Sequence, residues 1–315
     1  AVVVDHGLQD ESALVAARAA ATCRRLGLDP VDVFAVTVPR AGGDGPEAAA
    51  RDARYAAFGR SAYEHDAVAV LLGHTRDDQA EAVLLGLLRG SGARSLSGMP
   101  ARRGQFRRPL LDLPRGTTVE SCTELGLEPW SDPHNADPAY TRSRVRALLA
   151  ELEQRIGAGL TAGLARTADL LRADDEALEQ WAERASAEAT EAADAADAAE
   201  APEAGDGEVP GRSEPTGRVA TDLDPAPLDC AALAALPAAI RTRVLRRAAL
   251  AAGARPDDLT STHLAAMDAL VTDWHGQGAV ALPGPVQAVR DCGRLHLARL
   301  SDTGAGQETT PSTEE

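Results

Sequence analysis

Short apolar runs alternate with helical segments over the first 90 residues, and this alternation constrains the fold more than any other feature. The runs read as buried strands because they consist mainly of Val, Ala, Leu and Phe: 1–4, 31–38 and 67–72. The segments after them have helical spacing, the last one after a turn: 11–26, 47–65 and 73–90. This order predicts an α/β fold, a parallel sheet with helices on both faces. Ligands of such folds bind at the carboxyl ends of strands.

The pattern becomes mostly helical later in the chain, which divides it into a first domain, 1–140, and a helical second domain, 141–300. Helices are predicted at 141–153, 161–193, 230–252 and 262–273. Residues 279–300 alternate apolar and polar side chains and predict a hairpin. Residues 185–227 contain almost no large apolar side chain, so we expect a disordered acidic insertion in the later part of this stretch, and a disordered tail at 301–315.

The formal net charge of −16 does not exclude an RNA partner, because most of it lies in two stretches, 183–224 and 301–315. The remainder of the chain is nearly neutral and has room for local basic patches. The sequence contains no lysine, so every permanently charged basic side chain is an arginine. A guanidinium group is planar and binds phosphate through two parallel hydrogen bonds.

Cysteines and apolar runs indicate the cellular setting. The four cysteines are scattered, with no C-x-x-C pair, which argues against a zinc site, a redox pair or a disulfide framework. The apolar runs are far shorter than the roughly 20 residues that span a bilayer. No cleavable signal opens the sequence. We therefore expect a cytoplasmic protein with no membrane partner and no protein-bound metal.

The segment from Gly73 to Glu81 follows a predicted strand and opens a helix, so it gathers backbone amides and acids at one strand end. Asp78 and Glu81 are three residues apart and share a helix face. Such a pair could hold Mg²⁺ with a nucleotide, or orient an amine and take its proton. Acids in a first helical turn also simply complement the helix dipole, and the spacing alone favours this second interpretation.

Three further groups of residues are candidates for ligand contacts. Asp5 and His6 end the first predicted strand, where they would border a ligand or serve as loop residues. Arg89 opens a short glycine-rich basic loop suited to phosphate contact, although such loops are also simple turns. Arg142 and Arg146 share one helical face, which is either an anion clamp or a solvated surface.

The order of these segments, more than any one of them, resembles the tRNA(Ile)-lysidine synthases of bacteria. The resemblance covers about residues 1–180 strongly and the later helical part weakly. The matching segments are Val4 to Leu8, Pro46 to Tyr55, Leu72 to Glu81, Leu88 to Gly92, Arg108 to Leu111 and Asp132 to Arg146. This family belongs to the N-type ATP pyrophosphatases, which implies an adenine nucleotide alpha hydrolase-like fold.

The resemblance also implies a reaction and its participants. The family activates the wobble cytidine of an isoleucine tRNA, anticodon CAU, as an adenylated base and couples free lysine to it, giving lysidine. The implied cofactors are ATP and Mg²⁺, and a homodimer is possible.

Site residues follow from the matching motifs. Asp78 and Glu81 would be catalytic, handling the lysine amine and the target base. Five residues would border the nucleotide: Asp5, His6, Gly73, His74 and Asp77. Three would contact RNA or the adenylated intermediate: Arg89, Arg142 and Arg146.

One departure from the family bears on activity. The phosphate loop of the family, Ser-Gly-Gly-x-Asp-Ser, occurs nowhere in these 315 residues. We therefore expect a chain that lacks the first strand and phosphate loop, and that is inactive with ATP as it stands. Two alternatives follow: a non-catalytic tRNA-binding remnant, or a related ATP pyrophosphatase that thiolates tRNA. The second usually recruits paired cysteines, which this sequence lacks.

Overall fold

The computed structural model describes residues 1–7, 11–37, 45–90, 92–135, 137–200 and 225–300. The chain forms two compact units that divide after Ala173, later than the predicted boundary at 140. The division is later because the helix that begins at Thr141 packs on the first unit. Its residues Val145 and Leu149 form a buried cluster with Ala80.

The first unit alternates strands and helices, as the apolar runs predict. Its strands are β1 (Val2–Asp5), β2 (Asp32–Ala35), β3 (Val70–Leu71), β4 (Arg102–Arg103) and β5 (Phe106–Arg107). Its helices are α1 (Ser12–Arg25), α2 (Gly45–Glu64), α3 (Arg76–Arg89), α4 (Gly92–Leu96), α5 (Arg115–Glu124) and α6 (Thr141–Ile156). A longer helix, α7 (Leu160–Glu200), begins in this unit.

Parallel strand pairs occur in both sheets of the first unit, which confirms the predicted α/β class. β1 pairs with β2 in parallel, and β3 pairs with β5 in parallel. β4 adds to β5 in antiparallel orientation, so the second sheet has the order β3-β5-β4. The sequence did not predict β4 or β5, because each has only two residues and together they carry three arginines.

Helix α3 fixes the strand end where the predicted site residues lie. It ends at Gly90, whose left-handed backbone (φ 64°) suits a residue without a Cβ. Gly86 lets α4 approach closely, since a Cβ at that position would lie 2.7 Å from the carbonyl oxygen of Ser95. Ala80 and Val83 bury the inner face of the helix. These contacts leave the first turn of α3 at the carboxyl end of β3.

The second unit combines helices with an antiparallel sheet, where the sequence predicted helices and a hairpin. Its helices are α8 (Cys230–Ala235), α9 (Ala238–Ala251) and α10 (Ser261–Thr272). Its strands are β6 (Leu228–Asp229), β7 (Val280–Leu282), β8 (Val286–Asp291) and β9 (Arg294–Arg299), in the order β6-β9-β8-β7. The predicted helix 230–252 is interrupted at Pro237, whose missing N–H makes it a starting residue for α9. Within the described ranges, no helix is long and apolar enough to cross a membrane.

The predicted helix 161–193 forms and continues into the stretch where the acidic insertion is expected. Helix α7 continues to Glu200, and Ala185, Ala189 and Ala193 on it are buried. Alanines four residues apart share one face of a helix, so a stripe of small side chains packs there while Glu188, Glu191 and Asp194 are exposed. Residues 201–224 and the tail 301–315 lie outside the described residues.

Candidate functional site

A cavity of about 920 Å³ opens at the carboxyl end of β3. Its volume falls within the range of small-ligand sites. Leu72, Tyr55 and Phe58 give it an apolar wall. Six charged side chains of the described residues line it: Arg51, Arg54, Asp78, Arg89, Arg142 and Arg146. Five cations against one anion make the cavity attractive to a polyanion.

The structure brings six of the ten predicted site residues to this cavity. They come from the end of β3, the two ends of α3, and the first turns of α6: Gly73, His74, Asp78, Arg89, Arg142 and Arg146. Glu81 lies behind the cavity wall, and Asp77, Asp5 and His6 lie outside its lining.

Asp78 both starts helix α3 and faces the cavity. Its Oδ2 accepts hydrogen bonds from the amide (2.8 Å) and the hydroxyl (2.9 Å) of Thr75. Its Oδ1 accepts one from Nη2 of Arg115 at 3.0 Å. Burial acts to raise the pKa of Asp78, but the bonds from Thr75 and the charges of Arg115 and Arg142 outweigh it and lower the pKa. Asp78 is therefore ionised at neutral pH. It stabilises the start of α3, and it also faces the cavity where a ligand would bind.

Glu81 is buried among arginines instead of facing the cavity. Its side chain is 1% exposed, and its oxygens accept bonds from Nε of Arg146 (2.7 Å), Nε of Arg142 (2.9 Å) and Nη2 of Arg115 (3.2 Å). Burial acts to raise the pKa of Glu81, but the bonds from Arg146 and Arg142 outweigh it and lower the pKa. Unlike Asp78, Glu81 does not line the cavity, so its expected direct contact with an amine stays a prediction. Glu81 holds the arginines in place.

Arg142 and Arg146 are therefore not a solvated face. Both guanidinium groups combine a bond to the buried Glu81 with a position in the cavity lining. A charge-assisted pair fixes the plane of each guanidinium. The arrangement presents two oriented cations to a ligand, as the anion-clamp hypothesis requires.

Arg115 was missed by sequence reasoning, although it links all three acids of α3. Its backbone amide donates to Oδ2 of Asp77 at 2.7 Å, and its guanidinium contacts Asp78 and Glu81. Asp77 thus anchors the start of α5 rather than lining the cavity. Because Arg115 follows Glu81 by 34 residues, no local spacing connects the two in the sequence.

His74 is a neutral histidine in the cavity. Burial chiefly, together with the charges of Arg108, Arg142 and Arg51, lowers its pKa to about 4, although Asp78 acts in the opposite direction. Its Nδ1 is buried and has no hydrogen-bond partner in the described part of the chain. A neutral ring with an unsatisfied nitrogen suits hydrogen bonding to a ligand.

Asp5 and His6 lie at the end of β1 and reach the cavity only indirectly. Nε of Arg54, a cavity residue, donates to Nε2 of His6 at 3.3 Å. Burial, and next the charge of Arg54, lower the pKa of His6. Oδ1 of Asp5 accepts a bond from the amide of Gly7 at 3.0 Å, which shapes the turn after the strand.

Helix α2 contributes an aromatic wall to which sequence reasoning gave no role. The guanidinium of Arg51 lies 5.0 Å from the ring centre of Tyr55, a cation–π distance. Tyr55 packs edge-on against Phe58 and Phe106, at centroid distances of 5.9 and 4.9 Å. The spacing of Arg51, Tyr55 and Phe58 on one helix face was the available signal.

The carboxylates of the site do not form a metal cage. In the described ranges, no group of three or more His, Cys, Asp or Glu side chains is placed to hold a metal ion. Asp77 and Asp78 are engaged by Arg115 and Thr75. The donor set therefore does not fit Mg²⁺ bound by the protein alone.

Comparison with known proteins gives the family. Residues 1–153 match the PP-loop domain family, and residues 228–296 match the TilS substrate binding domain. The tRNA(Ile)-lysidine synthase of Thermobifida fusca is 52% identical over 295 residues, which cover 93% of this chain and 81% of that protein. The tRNA(Ile)-lysidine synthase of Streptomyces coelicolor is 51% identical over 298 residues, covering 93% and 75%.

A third, more distant relative has the same name as the first two. The tRNA(Ile)-lysidine synthase of Salinispora tropica is 46% identical over 299 residues, covering 93% of this chain and 80% of that protein. These matches extend through both compact units, so they bear on the whole of the described structure. The chain belongs to the tRNA(Ile)-lysidine synthase family.

Proposed function

We propose that this protein joins free L-lysine to the wobble cytidine of the isoleucine tRNA with anticodon CAU, using ATP and forming lysidine. The family match supports a ligase that uses ATP and acts on tRNA. The observation that carries the proposal is the cavity at the end of β3, which five arginines and Asp78 line together. We place the enzyme in the cytoplasm and leave a homodimer as an expectation.

The reaction proceeds in two substitutions. The carbonyl oxygen of the cytosine attacks the α-phosphorus of ATP, and pyrophosphate leaves. The ε-amine of lysine then attacks the carbon that carries this oxygen, and AMP departs with it while the amine loses a proton. The protein positions the reactants and balances charge.

The arginines of the cavity bind the phosphate groups. Arg142 and Arg146, oriented by Glu81, provide donors for the departing phosphates or for the tRNA backbone. Arg89 stands at the opposite end of α3 and adds a third cation. Fixed cations cost little reorganisation when charge develops during the reaction.

Asp78 is the charge partner that we assign to the lysine amine. Its lowered pKa keeps the carboxylate ionised, so it attracts and orients the amine and balances the positive charge that develops as the amine attacks. We assign the neutral His74, which lines the same cavity, to hydrogen bonding with the base or nucleotide. His6 borders the nucleotide through Arg54, and Asp5 shapes the turn beside it.

The assay must separate catalysis from tRNA binding, since the 315 residues contain no Ser-Gly-Gly-x-Asp-Ser. We would compare the chain alone with a joined protein, in which a segment carrying the Ser-Gly-Gly-x-Asp-Ser motif precedes Ala1. Labelled lysine, ATP and CAU-anticodon isoleucine tRNA are supplied to both. We expect lysine transfer and pyrophosphate release by the joined protein, and tRNA binding without transfer by the chain alone.

Two results would redirect the assignment. A joined protein that binds tRNA but transfers no lysine would favour the non-catalytic tRNA-binding alternative. Transfer of sulfur rather than lysine would favour the thiolating class, which the scattered cysteines disfavour. A methionine tRNA with the same anticodon serves as the specificity control.

A further inference from the structure

A segment without acidic residues borders the cavity. Residues 82–111 contain six arginines and neither Asp nor Glu, in a chain whose formal net charge is −16. The segment forms most of α3, helix α4 and the β4–β5 hairpin. Arg94, Arg102 and Arg103 on it are exposed. We name these three side chains the arginine edge.

The arginine edge has no structural task in the described part of the chain, where its side chains form no hydrogen bond or ion pair. The other arginines of the hairpin differ. Arg108 is buried and donates to the carbonyl of Pro100 at 2.8 Å, and Arg107 donates to that of Phe106 at 3.0 Å. The donors of the arginine edge therefore remain available to a ligand.

The strand register places the arginine edge beside the cavity. Arg102 lies opposite Arg107 of β5, and Arg107 lies opposite Leu71 of β3, the residue before cavity-lining Leu72. Neighbouring strands are about 4.8 Å apart, so the backbone of Arg102 is roughly 10 Å from that of Leu71.

Helix α4 brings the third arginine to the same border. Nη2 of Arg89, which lines the cavity, donates to the hydroxyl of Ser95 at 3.5 Å, and Arg94 directly precedes Ser95. Arg102 and Arg103 are neighbours on a strand and project to opposite sides of the hairpin edge. A polyanion laid across that edge meets both.

We propose that the arginine edge binds phosphates of the tRNA anticodon arm, beside the nucleotide whose base enters the cavity. This inference rests on the proposed function, since the cavity must hold the wobble base. Guanidinium groups bind phosphate oxygens through paired bonds and carry no base specificity. The edge thus orients the anticodon arm, while the cavity recognises the base.

The test removes two charges from the edge and, as a control, two from elsewhere. Arg102→Gln with Arg103→Gln is compared with Arg18→Gln plus Arg25→Gln, two exposed positions of α1. The 315-residue protein is titrated with CAU isoleucine tRNA and with its isolated anticodon stem-loop at several salt concentrations. We expect the edge variant to bind both RNAs on the order of tenfold more weakly, with the log–log salt slope shallower by about 0.7–0.9 per contact. The α1 variant should match the parent.

Each other result contradicts the proposal in a distinguishable way. Unchanged affinity and slope in a folded edge variant, with an unchanged thermal midpoint, overturn the arginine edge alone. A loss of affinity for whole tRNA, without a loss of affinity for the stem-loop, overturns the placement of the arginine edge at the anticodon arm. A parent protein that binds neither RNA contradicts the proposed function as well.

Discussion

Nε of Arg146 donates to Oε1 of Glu81 across 2.7 Å, and the glutamate that accepts this bond is 1% exposed. Nη2 of the same arginine reaches the second carboxylate oxygen at 3.3 Å, so the pair is bidentate. The bonds to Glu81 also raise the pKa of Arg146. An acid held in this way organises cations for a ligand and has little capacity to accept a proton from one.

Replacing Glu81 should lower the free energy of unfolding of the protein. In Glu81→Gln, the guanidinium groups of Arg115, Arg142 and Arg146 lose their shared counter-charge. We expect a loss of about 2–3 kcal/mol in the free energy of unfolding, less than for a fully buried pair because the arginines are partly exposed. Denaturant titration measures it, with Glu64→Gln, an exposed i,i+4 partner of Arg60, as a control that should change little.

A double-mutant cycle separates positioning from other effects of Glu81. In a protein that already carries Arg146→Gln, Glu81→Gln should destabilise the fold clearly less than it does in the parent. The ion pair between Glu81 and Arg146 is then already absent. Strictly additive losses would argue that the two side chains act independently.

His74 should titrate far below an ordinary histidine. With its folded pKa at about 4 and an unfolded value near 6.5, the unfolded chain binds more protons between these pH values. The neutral ring therefore contributes stability at neutral pH that is lost as the pH falls from about 6.5 toward 4. The C–H resonances of His74, assigned by comparison with His74→Gln, should show a midpoint near 4, and one near 6.5 would contradict a buried neutral ring.

The buried stripe of α7 is tested by two alanines of that helix. Ala189 is buried in the core of the second unit, while Ala187 is exposed. Ala189→Glu should lower the stability of that unit by roughly 3 kcal/mol or more, because it buries an unpaired charge. Ala187→Glu should have almost no effect. Equal, small effects of both substitutions on the thermal midpoint would mean that this part of α7 is not packed.

Arg142 should contribute a phosphate contact to tRNA binding. Removing its charge in Arg142→Gln should weaken binding and make the log–log salt slope shallower by about 0.7–0.9. Titrations of parent and variant at several salt concentrations measure both quantities. A loss of affinity with an unchanged slope would instead assign Arg142 to recognition of the base or of lysine.

The sequence predicted the strands and helices better than it predicted the contacts between them. Apolar runs located β1, β2 and β3, and the strand-end rule brought His74 and Asp78 to the cavity. Arg115 was not predicted, because a contact between α3 and α5 cannot be recognised from the spacing of residues along the chain. The same limit applies to β5, which is defined by its pairing with β3 rather than by its own two residues.

The end of α7 lies beyond the predicted helix 161–193. Large apolar side chains are absent from its last turns, and alanines at every fourth position bury a narrow helix face instead. Ala185, Ala189 and Ala193 form that face. Periodicity of small residues was the signal that composition concealed.

The most direct test of the account is lysine transfer by Asp78→Asn in the joined protein. The amide keeps the size of the side chain and an acceptor for Thr75, but it has no charge with which to pair a lysine amine. We predict that labelled lysine transfer to CAU isoleucine tRNA falls roughly 100-fold or more while tRNA binding holds and the protein stays folded with a lowered thermal midpoint, and that the exposed Asp112→Asn matches the parent. Transfer by Asp78→Asn within a few fold of the parent would contradict the assignment of this cavity as the site of lysidine formation.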